Sequence, residues 1–304
     1  MRRRLDEAIA LLQSRRIVSE IRWTQRRGDA EQWAREAVAD NIALVIGSGG
    51  DGTVNELANG LIGSQVVLGI LPTGTGNVVA SELAVPLDPV QAVKCILDGK
   101  IERIHAGHAE YQPFADEQSG PERSSSCILH PSPFREPAQR HFLFAAGLGF
   151  DAHVCHQITP AMKRWGGRAT YVFDGLRLFL RYQSPRLHVT LDGGAPVSCS
   201  ELIIANGRFY AGRFTIAPDA SPCKPDLDAC LFLRSGRWNL VRYAWGIARG
   251  RHVTYPDVIY RKAQSIEVTA DDPVYLHLDG DTVGTAPVRF AVRRDALSVV
   301  VPSA

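Results

Sequence analysis

With 304 residues, 45% of them hydrophobic, the chain can bury one large core or two modest ones. Its 34 Lys and Arg nearly balance 32 Asp and Glu, and a net charge of +2 excludes the concentrated positive field of a nucleic-acid binder. The six cysteines, at 95, 127, 155, 199, 223 and 230, form no C-x-x-C pair, so neither a zinc site nor a disulfide framework is expected and reduced thiols in a cytoplasm fit best. Met-Arg-Arg-Arg resembles the start of a signal peptide, but Asp6 and Glu7 interrupt the apolar region that such a peptide needs. No apolar run reaches the roughly 18 residues of a membrane span, so the protein is expected to be soluble, or at most peripheral to a membrane.

In chain order, Leu5, Ile9 and Leu12 fall on one face of a helix over 4–16. Ile17–Trp23 reads as a short strand, and Gly28-Asp29 as a turn that starts a helix over Ala30–Ala39. Ile42–Ile46 reads as a buried strand running into a glycine-dense turn with one acid, Gly47-Ser-Gly-Gly-Asp-Gly52. A helix is expected to open at Thr53, where Thr53 and Glu56 fit a capping box. A strand, glycine loop and helix in this order aim backbone N–H groups and a helix dipole at one spot, a ready place for phosphate. Asp51 sits awkwardly there, because a carboxylate about 4 Å from a phosphate costs roughly 1–4 kcal/mol of repulsion. A loop that keeps that acid is expected to seat a cation beside the phosphate or to use the acid in chemistry.

A second apolar strand, Val66–Leu71, ends in Pro72-Thr-Gly-Thr-Gly-Asn77, and short helices follow at Val78–Leu83 and Asp88–Leu97. Strands alternating with helices through about residue 100 argue for a parallel α/β sheet, whose ligands sit at the carboxyl ends of strands. After Lys100 the pattern changes. Ile101–Gln112 alternates like a strand, 113–139 reads as a long exposed loop or disordered insert, and His141–Phe150 resumes as a strand. Ala169–Tyr182 has the period of an amphipathic helix that either rests on a membrane or packs with solvated Arg177 and Arg181. Arg186–Leu191, Glu201–Asn206, Ala229–Arg234, Ser265–Thr269, Tyr275–Leu278 and Leu297–Val301 read as strands, so the second half is expected to be mostly β. The boundaries are set at 1–105 for an α/β domain and 106–304 for a β-rich domain, with the last fifteen or so residues free to rejoin the first.

Gly47-x-Gly49-x-x-Gly52 matches the dinucleotide-binding fingerprint formally, but Asp51 lies inside the loop and no acid follows about twenty residues on to hold a ribose. A Walker A loop is excluded because no Gly-Lys-Ser/Thr follows. Thr75 and Asn77 have the chemistry to bind phosphate or ribose, or equally to cap a helix. The nine histidines show no metal-ligand spacing.

Taken together, Gly49-Gly-Asp-Gly-Thr-Val-Asn-Glu56 and Leu71-Pro-Thr-Gly-Thr-Gly-Asn77 resemble the diacylglycerol kinase catalytic-domain family, which includes bacterial lipid kinases and sphingosine kinases. The likeness continues through Gly147-Leu-Gly-Phe-Asp151, Ala205-Asn-Gly-Arg-Phe-Tyr210 with Ile216-Ala-Pro218, and Leu278-Asp-Gly-Asp281 before Thr285-Ala-Pro287, covering nearly the whole chain in order. NAD kinases and phosphofructokinases share the glycine–aspartate–glycine–threonine core alone.

The resemblance implies an NAD kinase/diacylglycerol kinase-like fold: an α/β nucleotide domain beside a β-rich lipid domain, with the active site in the cleft. It implies an ATP- and Mg²⁺-dependent kinase acting on a lipid hydroxyl, most simply diacylglycerol, with a sphingoid base or another lipid alcohol as the alternative. The lipid would be met at a membrane surface, without nucleic acid or a transmembrane segment, by a cytoplasmic protein for which a homodimer is open. Nucleotide contacts carry over to Thr24, Gly49, Gly50, Asp51, Gly52, Thr53, Val54, Asn55, Gly74, Thr75 and Asn77. The family's catalytic base ends an Asp-Gly-Glu motif, and that position is Asp281 here, one methylene shorter. Asp51 would help to hold the metal-bound phosphates. Asp279 and Asp281 would lie on opposite faces of a strand unless a turn intervenes. The family's Asp-Gly-x-x-Asp metal motif aligns with Lys224-Pro-Asp-Leu-Asp228, leaving Asp228, with Asp226, as the candidate metal ligands. The family also begins with a strand and an Asn-Pro-x-Ser-Gly loop, and this chain starts about where the next helix belongs. From that departure a second expectation follows: a nucleotide- or lipid-binding protein with impaired turnover.

Overall fold

The structure, a computed structural model, describes residues 7, 10–12, 15, 20–114, 136–157, 179–210, 212 and 214–303. Helix α1 (Asp29–Ala39), strand β1 (Leu44–Gly49), helix α2 (Asp51–Leu61), strand β2 (Val67–Pro72), and helices α3 (Val78–Glu82) and α4 (Pro89–Asp98) build the first half. β1 and β2 pair in parallel, with Gly49 opposite Pro72, so both glycine loops leave the same sheet edge. Leu61, Leu68, Ile70 and Val93 fill the core beneath the helices. Helices α1 and α2 touch at Gly60, where a Cβ would lie 2.5 Å from that of Ala34, closer than side chains approach.

Several local expectations move. The first buried strand is Leu44–Gly49 rather than Ile42–Ile46, because its register on β2 runs to the loop and Ile42 stays exposed. Helix α2 starts at Asp51, two residues before Thr53, with Gly50 as its cap and no side-chain capping bond. Thr53 and Glu56 therefore form no capping box, and the Thr53 side chain packs over Gly49. Residues 20–23 are not a strand; the rest of the strand expected at 17–23, and most of the helix expected at 4–16, lie outside the described residues.

The second half comprises β3 (Lys100–Pro113), β4 (Ala138–Phe142), β5 (Ala145–Leu148), helix α5 (Phe150–Gln157), β6 (Leu187–Leu191), β7 (Val197–Cys199), β8 (Glu201–Ala205), β9 (Phe209–Tyr210), β10 (Phe214–Thr215), β11 (Leu227–Phe232), helix α6 (Arg237–Ala248), β12 (Val258–Ala263), β13 (Ser265–Ala270), β14 (Tyr275–Leu278) and β15 (Asp281–Val301). Both edges of the insert expected at 113–139 are strand, and residues 115–135 lie outside the described residues. Of the helix expected at 169–182, only 179–182 is described; 179–181 is helical and Tyr182 is not. Helix α6 was not expected from the sequence.

β15 organises the sheet. It pairs antiparallel with β14, β13 and β3, and its Ser298 and Val299 lie parallel to Val67 and Leu68 of β2. The C-terminal residues thus rejoin the N-terminal sheet, while β5, β8, β11 and β12 extend the other side.

The strand expected over His141–Phe150 breaks at Leu143 and Phe144, and Phe150 opens a helix instead. The cause is one carboxylate. Asp279 accepts the N–H groups of Leu143 (2.7 Å), Phe144 (3.0 Å) and Ala145 (3.1 Å), which leaves those amides turned out of a regular ladder. Asp279 and Gly280 both have positive φ, 50° and 82°, and form a tight two-residue turn between β14 and β15. The turn intervenes, so Asp279 points into the protein and Asp281 does not have to follow it. The Asn55 amide of α2 completes the set, donating to Asp279 at 2.6 Å.

Burial pushes Asp279 up to about 6 from an ordinary 3.8, against the pull of its four N–H donors. The folded state therefore binds its proton more tightly than the unfolded chain. The stability this group contributes is full below about pH 4 and lost as pH rises through about 6. Unfolding free energy measured from pH 4 to 6 should carry that downward slope, and Asp279→Asn should remove it. Asp279→Ala, which strands buried amides, should cost about 3 kcal/mol or more in urea denaturation.

Candidate active site

The two glycine loops are welded face to face. The Gly49 carbonyl accepts the N–H groups of Thr73 (3.0 Å) and Gly74 (3.2 Å). A Cβ on Gly74 would lie 2.4 Å from the Cα of Gly50, so this approach demands glycine. Asn77, at φ 50°, clips the second loop from inside: its Oδ1 accepts from Gly74 N–H (3.1 Å) and its Nδ2 donates to the Gly74 carbonyl (2.8 Å). Asp51 joins the loops, taking Val79 N–H at 3.1 Å and drawing on the amides of Val78 and Asn77. Burial raises its pKa and those amides lower it; burial prevails.

Gly52 and Thr75 remain exposed above this brace, and the Gly50 cap leaves the first turn of α2 without a side-chain partner. Backbone N–H groups at such a turn are donors for an anion. Val54 is not among the groups presented. Its side chain is in the core and its N–H closes the first turn onto Gly50. Asn55 is equally committed. It is buried, bound to Asp279 and to the His141 carbonyl (3.3 Å), and it accepts from Arg140 at 2.9 Å.

Asp281 lies just past the Asp279–Gly280 turn, half-buried, with Arg27 on its Oδ2 at 2.9 Å. Arg27 comes from the segment that carries exposed Thr24, and Asp29 shapes that segment by accepting the N–H groups of Gln25 (2.8 Å) and Arg26 (3.0 Å). Asp51 and Asn55 stand one turn apart on α2, and Asn55 grips the residue two before Asp281. The loop acid, the hairpin acid and the Thr24 segment thus belong to one connected wall. Glu82 fastens α3 to the other half, accepting the N–H groups of Arg208 (2.8 Å) and Phe209 (3.3 Å).

Asp226 and Asp228 lie elsewhere, and they do not fit a metal. Lys262 is the cross-strand partner of Asp228 and sets Nζ 2.8 and 3.1 Å from its two carboxylate oxygens. Tyr260 donates to Asp228 at 2.5 Å, and Asp226 lies 3.6 Å from the same ammonium. Among the described residues no cluster of three or more His, Cys, Asp or Glu is placed to hold a metal ion. The magnesium ligands expected at Asp228 and Asp226 are therefore corrected: a tethered ammonium satisfies the buried carboxylate. Mg²⁺ demands near-octahedral oxygen ligands, which this lysine displaces.

A second polar group was not anticipated. Asp151 accepts from Tyr210 Oη and from His277 Nε2, each at 2.9 Å, while His277 Nδ1 receives Gly280 N–H at 3.3 Å. The Gly280 bond puts the imidazole proton on Nε2, facing Asp151. Buried Glu201 takes Phe150 N–H at 2.5 Å and Tyr182 Oη at 3.1 Å, and burial raises its pKa well above the carboxylate range. Asp151, Tyr210 and Glu201 form the polar end of an otherwise apolar cavity of about 900 Å³, walled by Phe150, Ile203, Phe232 and α6. His277 pairs across the hairpin with Thr282, which places this end of the cavity behind Asp281. Only the Gly-Phe-Asp151 and Phe-Tyr210 motifs signalled these residues; nothing local in sequence marks Arg27, Glu201 or His277.

The diacylglycerol kinase catalytic domain matches residues 1–109, and the YegS C-terminal NAD kinase beta sandwich-like domain matches residues 145–301. The chain belongs to the diacylglycerol kinase catalytic-domain family. It is 25% identical to a diacylglycerol kinase of Bacillus subtilis (strain 168) over 279 residues, covering 90% of this chain and 83% of that protein. It is 22% identical to one of Staphylococcus carnosus (strain TM300), covering 99% and 90%. A crystal structure of a diacylglycerol kinase from Bacillus anthracis str. Sterne shares the fold, with a TM-score of 0.63 at 19% identity over 91% of this chain and 83% of that one.

Replacing Lys262 should leave the buried Asp228 charge unpaired. Lys262→Met is expected to lose about 3 kcal/mol in denaturant unfolding. The wild-type melting temperature should be the same with excess Mg²⁺ as with a chelator.

Proposed function

We propose that this chain is a phosphotransferase that moves the γ-phosphoryl group of ATP to a lipid hydroxyl, diacylglycerol giving phosphatidic acid. The observation that carries the reading is the wall running from Asp51 through Asn55 and Asp279 to Asp281. It ties a phosphate-sized amide cradle to a half-exposed acid, with an apolar cavity behind the hairpin.

Gly50, Gly52, Thr53 and Thr75 would hold the phosphates, with the two loops fixed beneath them by the close Gly50–Gly74 approach. Thr24 would meet the nucleotide from the segment beside Asp281. When bound, Mg²⁺ would supply charge neutralisation at the phosphates, and Asp51 is the residue that would help to hold it. Asp51 itself acts chiefly by position, because its amide bonds to the second loop set the spacing of the cradle. Asp281 takes the proton of the lipid hydroxyl, and Arg27, 2.9 Å from its Oδ2, orients that carboxylate. The cavity takes acyl chains, and the Asp151–Tyr210–His277 group meets the polar end of the lipid. No helix among the described residues is long and apolar enough to cross a membrane, which fits a substrate taken from a bilayer face.

Incubation with ATP, Mg²⁺ and diacylglycerol in mixed micelles should yield phosphatidic acid. Asp281→Asn should lower kcat by about 100-fold or more. Asp281→Glu, which restores the family's residue, should retain activity. Preference for a sphingoid base would change the acceptor and leave the reaction class. ATP binding with no phosphorylated lipid from any acceptor would replace the reading with that of a binding protein.

A further inference from the structure

The chain is nearly neutral, yet its charge is unevenly spread. Residues 233–255 contain five arginines, at 234, 237, 242, 249 and 251, and no Asp or Glu, so the remainder of the chain is net acidic. This basic segment contains α6 and two of the five tryptophans. Trp238, Val241 and Trp245 recur at the spacing of one helix face and are 86%, 47% and 58% exposed. The opposite face is buried through Tyr243 and Gly246.

Among the described residues no packing explains three large apolar side chains in a row on the outside. Isolated exposed apolar residues are ordinary, but a contiguous aromatic stripe is not. Arg242 is spent on Asp257, where Tyr243 also donates at 2.7 Å, and Arg234 reaches that carboxylate at 3.6 Å. Arg237, Arg249 and Arg251 make no ion pair among the described residues, and all are exposed. Arg249 lies over the Trp245 ring at 4.3 Å, so cation and indole are presented together.

We infer that this face of α6 docks the protein on an anionic lipid bilayer. Unpaired arginines attract the negative surface, and indoles settle at its headgroup level, where one edge is apolar and the N–H is wet. The stripe is also continuous with the cavity: Trp238, Val241 and Trp245 are both exposed and part of its wall. They therefore stand at its mouth, and a lipid leaving the bilayer would enter the cavity without crossing water. The inference builds on the lipid-acceptor reading and names the partner that delivers the acceptor.

The test is cosedimentation of the full chain, without ATP, with vesicles of phosphatidylcholine plus phosphatidylglycerol or of phosphatidylcholine alone. Binding should favour the anionic vesicles and weaken as salt rises. Arg249→Glu with Arg251→Glu should reduce binding about tenfold, yet phosphorylate diacylglycerol in non-ionic micelles at the wild-type rate. Trp238→Ser with Trp245→Ser should lose vesicle binding at an unchanged melting temperature. Equal binding to both vesicle types, or wild-type binding by either variant, overturns the inference. So does a lipid-free dimer that the tryptophan variant converts to monomer, since a second copy would then cover the face. Product in micelles without vesicle binding sinks this inference alone; vesicle binding without product sinks the kinase reading alone.

Discussion

One buried carboxylate holds the working parts together. Asp279 gathers the amides at 143–145 and the Asn55 side chain, two segments distant from each other and from it in the chain. It breaks a strand, turns a hairpin and pins α2 to the second half of the protein. The positions of Asp51 and Asp281 are consequences of that arrangement, since each sits within one helical turn or one hairpin of it. Burial opposes its ionisation, and four donated hydrogen bonds are what make the charged form tolerable there.

How much of this was legible in the sequence depended on the range of the interaction. Strand and helix periods located β2, α4, β3, β6, β8, β11, β13 and β14 within a few residues, because those signals are local; β7 and β12 were not read, and β15 only over its last five residues. The parallel pairing of β1 with β2 was readable from alternation. The capping box at Thr53 failed because a glycine cap began the helix two residues earlier, where a close loop packing decided the geometry. Asn55 was carried over as a nucleotide contact from the family resemblance, and Asn77 offered ligand chemistry by residue type. In the fold they serve as braces, and their partners lie 224 residues away in one case and three in the other. Helix α6 went unread because its periodic stripe is aromatic and lies outward, opposite to the pattern of a core helix.

The acids at 226 and 228 teach a different lesson. A motif with its first acid replaced by Lys224 suggested a weakened metal site, but the decisive residue is Lys262, 34 positions on. Only the antiparallel register of β11 on β12 brings it opposite Asp228. The same carboxylate is retained, with its charge met by a different cation. Residue identity at a motif therefore says less about its ligand than the neighbour that the sheet supplies.

The pairing of β3 with β15 has a mechanical consequence. These two strands run from the α/β half into the β-rich half as one hydrogen-bonded ladder, from Lys100 opposite Val301 to Pro113 opposite Gly284, with two register shifts. A single-chain linker would let the halves swing freely about a few dihedral angles. A double-stranded ribbon resists bending in its own plane and yields by twisting, so any movement of one half against the other would proceed as torsion, concentrated where the ladder slips register.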